Sequence, residues 1–424
     1  MDETDRRLPE GFREVGLSPE RHAEVLELDV WAFPSSREPD DLLAEGSPLS
    51  WDRARGIEAD GRPGLVGMRA SYPFGRFPVP GGTLPVAGLT WVGVHPGYRR
   101  RGLLGGMIAG HFADCAARGE AVSALTASEP AIYGRFGYGL ASRVLSLTLP
   151  RRARLREVPG SAGIEVWFER FGERHVDLVA DLHARAWPLP LNRPGWVSRE
   201  TPQLAAYLHA DPPAERDGNE AMRILVARRD GQPSGYALFR RKSAWRDGVA
   251  EGEVGIRELV ALDAATRHAL LSRLLDLDLT STVRAWCLPV DDPLTDLLVD
   301  LRATRPRLGD NIWVRLLDLP TALAGRRYAA GIDVVLDVTD ALVPANAGTW
   351  RLRAEPFSGG AEVSRTDAPA DVSLDVRELG ALYLGGGSAP GLAAAGLVDG
   401  PAEALGRLHA AFAWPLAPAT SWIF

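Results

Sequence analysis

The residues best suited to chemistry stand between a predicted strand and a predicted helix. This segment reads Val92-Gly93-Val94-His95-Pro96-Gly97-Tyr98-Arg99-Arg100-Arg101-Gly102-Leu103-Leu104-Gly105. A tight loop here leaves the first N–H groups of the helix unpaired, at the positive end of the helix dipole. Gly102 lets the backbone approach a ligand closely, and Arg100 and Arg101 add positive charge. The segment therefore predicts a loop that binds a pyrophosphate.

Two widespread phosphate-binding patterns do not fit this segment. A Walker loop ends in Gly-Lys-Ser/Thr, and the dinucleotide fingerprint has the spacing GxGxxG. Residues 92–105 contain neither pattern, so a nucleoside triphosphate is disfavoured. The alternative without a ligand is a surface cluster of arginines in a solvated turn, but the order strand, loop and helix favours a binding site.

The elements that must position this loop follow from the hydrophobic pattern. Residues 18–31 begin with Ser-Pro-Glu, which is typical of a helix N-terminus, and continue with helical spacing. Strands are predicted within residues 61–77 and 79–94, the second of them interrupted by Pro85 and Gly88, and a helix follows the loop.

Two further sections follow a charged, glycine-containing boundary near residues 151–163. The first of them repeats the α/β order of strands and helix. From about residue 311, alternating polar and apolar segments predict an antiparallel sheet with one wet face, which helices near 375–384 and 401–412 cover. We therefore predict three domains, at residues 1–155, 156–308 and 309–424.

Composition places the chain among ordinary globular proteins. Its 424 residues are 46% hydrophobic and 24% charged, which excludes disorder or a fibre as the main state. No apolar run approaches the ~20 residues that cross a bilayer, and the N-terminus is charged, so we expect a cytoplasmic protein without a membrane partner. Neither the two cysteines, Cys115 and Cys287, nor the eight histidines have the spacing of metal ligands, so no metal is expected.

Negative charge is concentrated at the start of the chain. Residues 1–60 hold 16 Asp and Glu against 7 Arg. This balance disfavours nucleic acid as a ligand, because phosphate backbones need clustered Lys and Arg. It suits a cationic substrate, although a solvated and solubilising face would have the same composition.

Residues 99–105 resemble the acetyl-CoA-binding signature Arg-x-x-Gly-x-Gly/Ala of the GNAT superfamily of N-acetyltransferases. With TASEPAIYGRFGYG at 126–139 and the aromatic C-terminus, the whole chain resembles the enhanced intracellular survival (Eis) acetyltransferases. The resemblance implies an α/β and α+β fold, in which tandem GNAT-like domains precede a sterol-carrier-protein-like domain. It also implies acetyl transfer from acetyl-CoA to small-molecule amines, often aminoglycosides, by a homohexamer.

The resemblance assigns roles to individual residues of this chain. The backbone at Val92, Gly93 and Val94 would pair with the pantetheine arm of acetyl-CoA. The remaining cofactor contacts would come from the loop and from the segment before the aromatic turn, namely Arg100, Arg101, Gly102, Leu103, Leu104, Gly105, Ser128 and Glu129. Tyr133 matches the general acid of the family, and the main-chain carboxylate of Phe424 matches its general base.

Acetyl transfer to an amine needs one base and one acid, which these two groups can supply. A tyrosine has an unperturbed pKa of about 10, so Tyr133 would be protonated at pH 7 and could donate to a departing thiolate. A terminal carboxylate is a weak base, and burial among apolar neighbours would strengthen it. Tyr138 is a rival candidate for the acid. Without a catalytic function, Tyr133 would be a core tyrosine, and Phe424 would only dock the C-terminus through its ring.

Four residues are candidate walls of an acceptor pocket: Asp29, Trp31, Phe33 and Trp91. Carboxylates attract polyamines, and tryptophan faces stabilise cations. The aromatic residues could equally belong to a core. Some relatives have an acidic residue before the terminal aromatic one, and here that position is Ile423, which weakens the implied preference for aminoglycosides.

The second domain has Ala269 where an offset of 167 aligns it with Gly102, so we expect one cofactor site per chain. Two other functions stay open. The acceptor could be a protein or peptide lysine, or the chain could be a non-catalytic protein that binds CoA or a lipid.

Overall fold

The computed structural model describes residues 8–34, 37–43, 45–199 and 201–424. Two seven-stranded sheets and one five-stranded sheet form the framework of this part of the chain. None of the helices in these ranges has the length and apolarity that crossing a membrane requires.

The first sheet carries the predicted ligand loop. Its strands begin with β1 (Phe12–Gly16), β2 (Arg55–Ala59), β3 (Leu65–Val79), β4 (Gly82–Val94), β5 (Val122–Thr126) and β6 (Gly139–Leu140). Three helices accompany them: α1 (His22–Ala32), α2 (Pro39–Leu43) and α3 (Leu103–Arg118). The loop joins β4 to α3, as the sequence predicts.

Strand β4 runs unbroken through Pro85 and Gly88, so the predicted interruption is wrong. Leu84 pairs with Phe77 and Val86 pairs with Phe74, and the register shifts between these pairs, so Pro85 stands at an irregularity where its missing N–H is tolerated. A Cβ atom on Gly88 would lie 2.3 Å from the ring of Phe74, so glycine makes room for this ring.

The second sheet forms the centre of the chain. Its strands and a small hairpin are β7 (Arg143–Pro150), β8 (Glu165–Arg170), β9 (Arg223–Arg229), β10 (Gln232–Lys242), β11 (Trp245–Arg246), β12 (Val249–Ala250), β13 (Gly252–Ala261), β14 (Thr280–Pro289) and β15 (Arg307–Asp310). Its helices are α4 (Val176–Arg185), α5 (Pro202–His209), α6 (Ala264–Leu275) and α7 (Leu294–Leu297). The buried side chains of α6 and of α4 join separate hydrophobic clusters with this sheet, so both helices contribute to its core.

The last section contains the five-stranded sheet. Its strands, with the strand that precedes them, are β16 (Ile312–Leu316), β17 (Ile332–Thr339), β18 (Gly348–Ala354), β19 (Glu362–Arg365), β20 (Val372–Asp375) and β21 (Val398–Asp399). Its helices are α8 (Leu319–Ala324), α9 (Val376–Tyr383), α10 (Ala389–Ala394) and α11 (Ala402–Phe412). The predicted helices near 375–384 and 401–412 correspond to α9 and α11. Strands β17 and β20 run parallel, so the sheet is mixed and the prediction of an antiparallel sheet is wrong there.

Two strands cross the domain boundaries that the sequence predicts. Strand β7 lies before residue 155, yet it pairs with β14 and β15 in the second sheet. Strand β16 lies after residue 309, yet it pairs with β5 and β6 in the first sheet. The chain therefore passes between the two sheets twice, and neither sheet is complete within one predicted segment.

The last domain packs against the first sheet. Helix α9 crosses β6 and β16 so closely that a Cβ atom on Gly139 would lie 1.9 Å from the carbonyl oxygen of Arg377. One hydrophobic core joins Phe74 of β3, Val314 of β16, Leu379 of α9 and the terminal Phe424. This shared core brings the end of the chain to the first domain.

Candidate active site

A cavity of about 1780 Å³ lies beside the predicted ligand loop. Its walls contain every residue that the sequence analysis assigned to cofactor, acceptor or catalysis, namely Asp29, Trp31, Phe33, Trp91, Val92, Gly93, Val94, Arg100, Arg101, Gly102, Leu103, Leu104, Gly105, Ser128, Glu129, Tyr133 and Phe424. Pockets for one drug-sized ligand measure roughly 300–1,000 Å³. This cavity therefore has room for two ligands side by side.

Two neighbouring strands separate at the cavity. Strand β4 pairs with β5 in parallel at residues 86–88, and beyond Gly88 no pairing between them follows in the described chain. Trp91 has a left-handed φ of 52° at a bulge, where Trp91 and Val92 stand opposite Arg69 of β3. A bulge bends its strand, so the edge of β4 after Gly88 is left open. With no described strand paired to this edge, its backbone groups can bond the amides of a ligand.

The N-terminus of α3 is open to the same cavity. Its N-cap is Gly102, with a φ of 84°, and no described side chain caps this end of the helix. Leu103, Leu104 and Gly105 follow, and the first bond back to the cap comes from the N–H of Gly106, at 3.2 Å. Their N–H groups and the exposed Arg100 therefore form a site that suits a pyrophosphate.

Helix α6 in the second domain lacks this geometry. Its N-cap is Asp263, whose carboxylate accepts the N–H of Thr266 at 2.8 Å. Ala269 lies within the helix rather than at its start, so the structural counterpart of Gly102 is Asp263 and the alignment of Gly102 with Ala269 is wrong. A capped helix end with a negative charge repels a pyrophosphate.

Tyr133 is placed between two short 3₁₀ helices, Pro130–Ile132 and Gly134–Phe136. The side chain is largely buried, and burial followed by the charge of Glu129 raises its pKa to about 12. Glu129 itself is exposed and pairs with Arg99 at 3.5 Å. Tyr133 therefore holds its proton at neutral pH while facing the cavity.

Tyr138, the rival acid, lies behind Tyr133 and away from the cavity walls. Its hydroxyl shares a hydrogen bond of 2.8 Å with Ser123, which is bonded in turn to Nε2 of His111 at 2.8 Å. All three side chains are buried. Of the two tyrosines, Tyr133 alone is placed to meet a ligand.

The C-terminus is fixed inside the cavity. The Thr126 hydroxyl donates a short hydrogen bond to a carboxylate oxygen of Phe424 and accepts the Phe424 N–H at 2.9 Å. The Phe424 ring packs edge-on against Phe74, at 5.0 Å, and against Trp422, at 5.3 Å. Sequence reasoning missed Thr126, although its place at the end of β5, two residues before Ser128, is a signal that could have found it.

The part of the cavity that Asp29 and Trp31 line is built from two domains. Asp29 stands in the last turn of α1, and burial raises its pKa to about 6. Trp31 is 56% exposed and lies against His95. Tyr207 of α5 also lines the cavity, and sequence reasoning missed this residue because it belongs to the second domain. The exposed Ile423 adds an apolar contact beside the carboxylate.

In the described ranges, no group of three or more His, Cys, Asp or Glu side chains could hold a metal ion. The polar groups that line the cavity include carboxylates, the Tyr133 hydroxyl, arginine side chains and the backbone N–H groups at the start of α3. They can bind an anionic cosubstrate and a cationic acceptor next to each other.

Family models and relatives identify this arrangement. Two models described as acetyltransferase (GNAT) domains match residues 16–141 and 195–316, and a sterol carrier protein domain matches residues 319–421. The fold class that the sequence predicted, tandem GNAT-like domains followed by a sterol-carrier-like domain, is confirmed. GNAT acetyltransferases use acetyl-CoA, which agrees with the anion-binding loop.

An uncharacterized N-acetyltransferase of Streptomyces coelicolor is 41% identical, over 92% of this chain and 96% of the relative. The N-acetyltransferase Eis of Mycobacterium tuberculosis is 35% identical, over 91% of this chain and 94% of its own length. The crystal structure of Eis1 from Mycobacterium abscessus superposes with a TM-score of 0.78 at 30% identity, and the match covers 97% of this chain and 100% of that one. This chain belongs to the Eis-like N-acetyltransferases of the GNAT superfamily.

Proposed function

We propose that this acetyltransferase uses acetyl-CoA to acetylate primary amines of a cationic, aminoglycoside-like small molecule by direct transfer. Tyr133 is the general acid, and the C-terminal carboxylate of Phe424 is the general base. The observation that supports this most is the double hydrogen bond between Thr126 and Phe424, which holds a carboxylate in the same cavity as Tyr133.

The loop and the open strand edge have the features that the cosubstrate needs. Residues 100–105 would hold the pyrophosphate, and the backbone of residues 92–94 would pair with the pantetheine arm, beside Ser128 and Glu129. When bound, acetyl-CoA supplies the acetyl group as a thioester. The uncapped helix N-terminus at Gly102 is the structural support for this assignment.

The two catalytic groups divide the proton transfers. The Phe424 carboxylate takes a proton from the acceptor ammonium, which must lose it before its nitrogen has a lone pair. Tyr133, protonated because burial raises its pKa to about 12, donates to the sulfur that leaves. The second proton, which the nitrogen loses once it is acylated, restores the tyrosine. No residue needs to carry the acetyl group, because both ligands fit in the one cavity.

Other residues that line the cavity support the proposed acceptor class. Asp29 offers a negative charge, and Trp31, Phe33 and Trp91 offer aromatic faces for cationic amines. Ile423 adds apolar contact where some relatives have an acid. A polyamine ring system with apolar faces fits these contacts better than a small linear amine.

The first test is release of free CoA thiol from acetyl-CoA across a panel of aminoglycosides, linear polyamines and lysine peptides. We expect saturable release with aminoglycosides, and loss of turnover with retained acetyl-CoA affinity after deletion of Phe424. Release with lysine peptides alone would instead make the chain a protein acetyltransferase. Binding of acetyl-CoA without release in any reaction would favour a CoA-binding or lipid-binding protein.

We further propose a homohexamer in the cytoplasm, where the reaction finds its acetyl-CoA. The edge strand β8 supports subunit contacts, since its Trp167 is 58% exposed and Phe168 beside it is also exposed. Sedimentation analysis tests the assembly: six chains per particle are expected, and a monomer would contradict it.

A further inference from the structure

The last residues of the chain cross the second domain before they reach the active-site cavity. Helix α11 ends at Phe412, and Trp414 donates its indole N–H to the carbonyl of Asn192 at 2.9 Å. From this point to Phe424 the chain has no helix or strand, so its backbone groups need partners from elsewhere. The second domain provides most of them.

Ala417 is held by a single ion pair. Arg193, which is 1% exposed, donates from Nη1 to the Ala417 carbonyl at 2.5 Å and to Oδ1 of Asp291 at 2.7 Å. Oδ2 of Asp291 accepts the Ala417 N–H at 2.9 Å. The Arg193 guanidinium also lies 4.2 Å from the ring centre of Trp187, which fixes its plane. Both polar groups of one tail residue are therefore bound by an ion pair that is itself held in place.

A second set of contacts holds the tail three residues further on. The Thr420 N–H donates to Oδ1 of Asn311 at 3.1 Å, and the Thr420 carbonyl accepts from the Cys287 thiol at 3.2 Å. The Ser421 hydroxyl shares a hydrogen bond of 3.2 Å with Nε2 of His183. Thr420 is fully buried, so these bonds are shielded from water.

These contacts lie outside the cavity, but they hold the chain only a few residues before Phe424, which lines it. Neither Arg193, Asp291 nor Asn311 lines the cavity. Phe424 is only four positions after Thr420, and a chain spans at most about 3.6 Å per residue. A tail released at Ala417 and Thr420 leaves the Phe424 carboxylate with Thr126 as its hydrogen-bonding partner.

We infer that the second domain, whose helix α6 has no open N-terminus, serves as a clamp that positions the catalytic carboxylate of Phe424 in the active site of the first domain. Arg193 and Asp291 are its positioning residues, together with Asn311, which directly follows strand β15 of the second sheet. The inference rests on the proposed role of Phe424 as the general base. It gives the degenerate GNAT-like domain a function in the reaction without a second cofactor site.

The test compares Asp291→Ala with Asp296→Ala, which removes the same charge at a nearby exposed position in α7. We expect Asp291→Ala to lower kcat about 10- to 100-fold, the cost of a misplaced catalytic group, with the affinity for acetyl-CoA unchanged. Asp291→Asn keeps an oxygen for the Ala417 N–H and should retain more of the activity. Asp296→Ala should behave as the unmodified chain.

The decisive measurement is the effect of Asp291→Ala on kcat in a chain that lacks Phe424. A clamp acts only through the terminal carboxylate, so Asp291→Ala should cause no further loss of kcat in that background. An equal loss in both backgrounds would show a general structural defect and overturn the inference. If deletion of Phe424 itself leaves kcat unchanged, the proposal that Phe424 is the general base is wrong. That result is distinct from the equal loss in both backgrounds that would overturn the clamp.

Release of Phe424 by carboxypeptidase A measures the clamp without any acetyl transfer. The rate at which carboxypeptidase A releases Phe424 should be about 10-fold higher or more in Asp291→Ala, because a hydrogen bond to a charged group is lost. The rate in Asp296→Ala should match that of the unmodified chain. Equal release from all three proteins would overturn the clamp, whatever the activity assays give. A melting temperature for each variant identifies any chain that fails to fold, and Asp291→Asn then serves in its place.

Discussion

Thr126 and Phe424, 298 positions apart, are joined by two hydrogen bonds through one hydroxyl group. The hydroxyl donates to the terminal carboxylate and accepts the N–H of the same residue. A single side chain at the end of β5 thus fixes both the position and the orientation of the terminal carboxylate. This pair links the first domain to the last residue of the third.

The first prediction concerns this pair. Thr126→Val keeps the shape of the side chain but removes both bonds, so we expect kcat to fall about 10-fold or more, since a hydrogen bond to a charged group contributes about 1.5–3 kcal/mol. Thr126→Ser keeps the hydroxyl and should stay close to the parent. Steady-state kinetics with saturating acetyl-CoA measures both, and an unchanged kcat in Thr126→Val would argue against a catalytic carboxylate.

The second prediction separates the two tyrosines. Tyr133→Phe removes the proposed acid and should lower kcat on the order of 10²–10⁴-fold with acetyl-CoA binding retained. Tyr138→Phe loses its bond to Ser123 and should instead lower the free energy of unfolding by about 1 kcal/mol, with little effect on kcat. The opposite pattern would give the role of acid to Tyr138.

The third prediction tests the loop with glycines at the two ends of α3. Gly102 and Gly119 both have left-handed φ values, 84° and 70°. Tryptophan at either position strains the backbone, but at Gly102 it also fills the space of the proposed pyrophosphate. We expect Gly102→Trp to abolish acetyl-CoA binding in calorimetry and Gly119→Trp to bind normally. Equal affinities would remove the loop from the cofactor site.

The fourth prediction is a pH dependence. Burial raises the pKa of Asp29 to about 6, so this carboxyl group is negative above that pH and neutral below it. The KM for a cationic acceptor should therefore rise as the pH falls through about 6. In Asp29→Asn the KM should be raised about 10-fold at pH 7.5, equivalent to about 1.4 kcal/mol, and should lose this dependence.

Glu27→Gln is the matched control, because Glu27 is exposed on the same helix and does not line the cavity. It should keep both the KM and its pH dependence. A parent enzyme whose acceptor KM is flat between pH 5 and 7.5 would exclude Asp29 as the anionic contact.

The local features of the site could be predicted from sequence because each depends on neighbours in the chain. A glycine before an apolar helical repeat is enough to place Gly102 at an open helix N-terminus. The helices α9 and α11 were predicted in the same way, from the local pattern of residues. The predicted interruption at Pro85 was wrong because the position does not depend on chain neighbours alone. Pro85 is tolerated at an irregularity in the pairing of β4 with its partner strand β3.

Other features depend on residues that meet only after folding. Tyr133 and Tyr138 lie five positions apart and each precedes a glycine, so the local sequence does not separate their roles. Only the packing of Tyr138 on Ser123 leaves Tyr133 to the cavity. Tyr207 enters the cavity from the second domain. The sequence also did not predict that β7 pairs in the second sheet and β16 in the first. The local pattern of residues indicates a strand, but it does not show which strand is its hydrogen-bonding partner.

By itself, the sequence determined the helices and strands around the loop that ends at Gly102, and its resemblance to a family implied Tyr133 as the acid and Phe424 as the base. Only the tertiary structure decided that the carboxylate of Phe424 meets Thr126 and that Arg193 and Asp291 bind the tail on its way there. The physical reason is that these bonds join segments distant in sequence, which the burial of a shared core brings together.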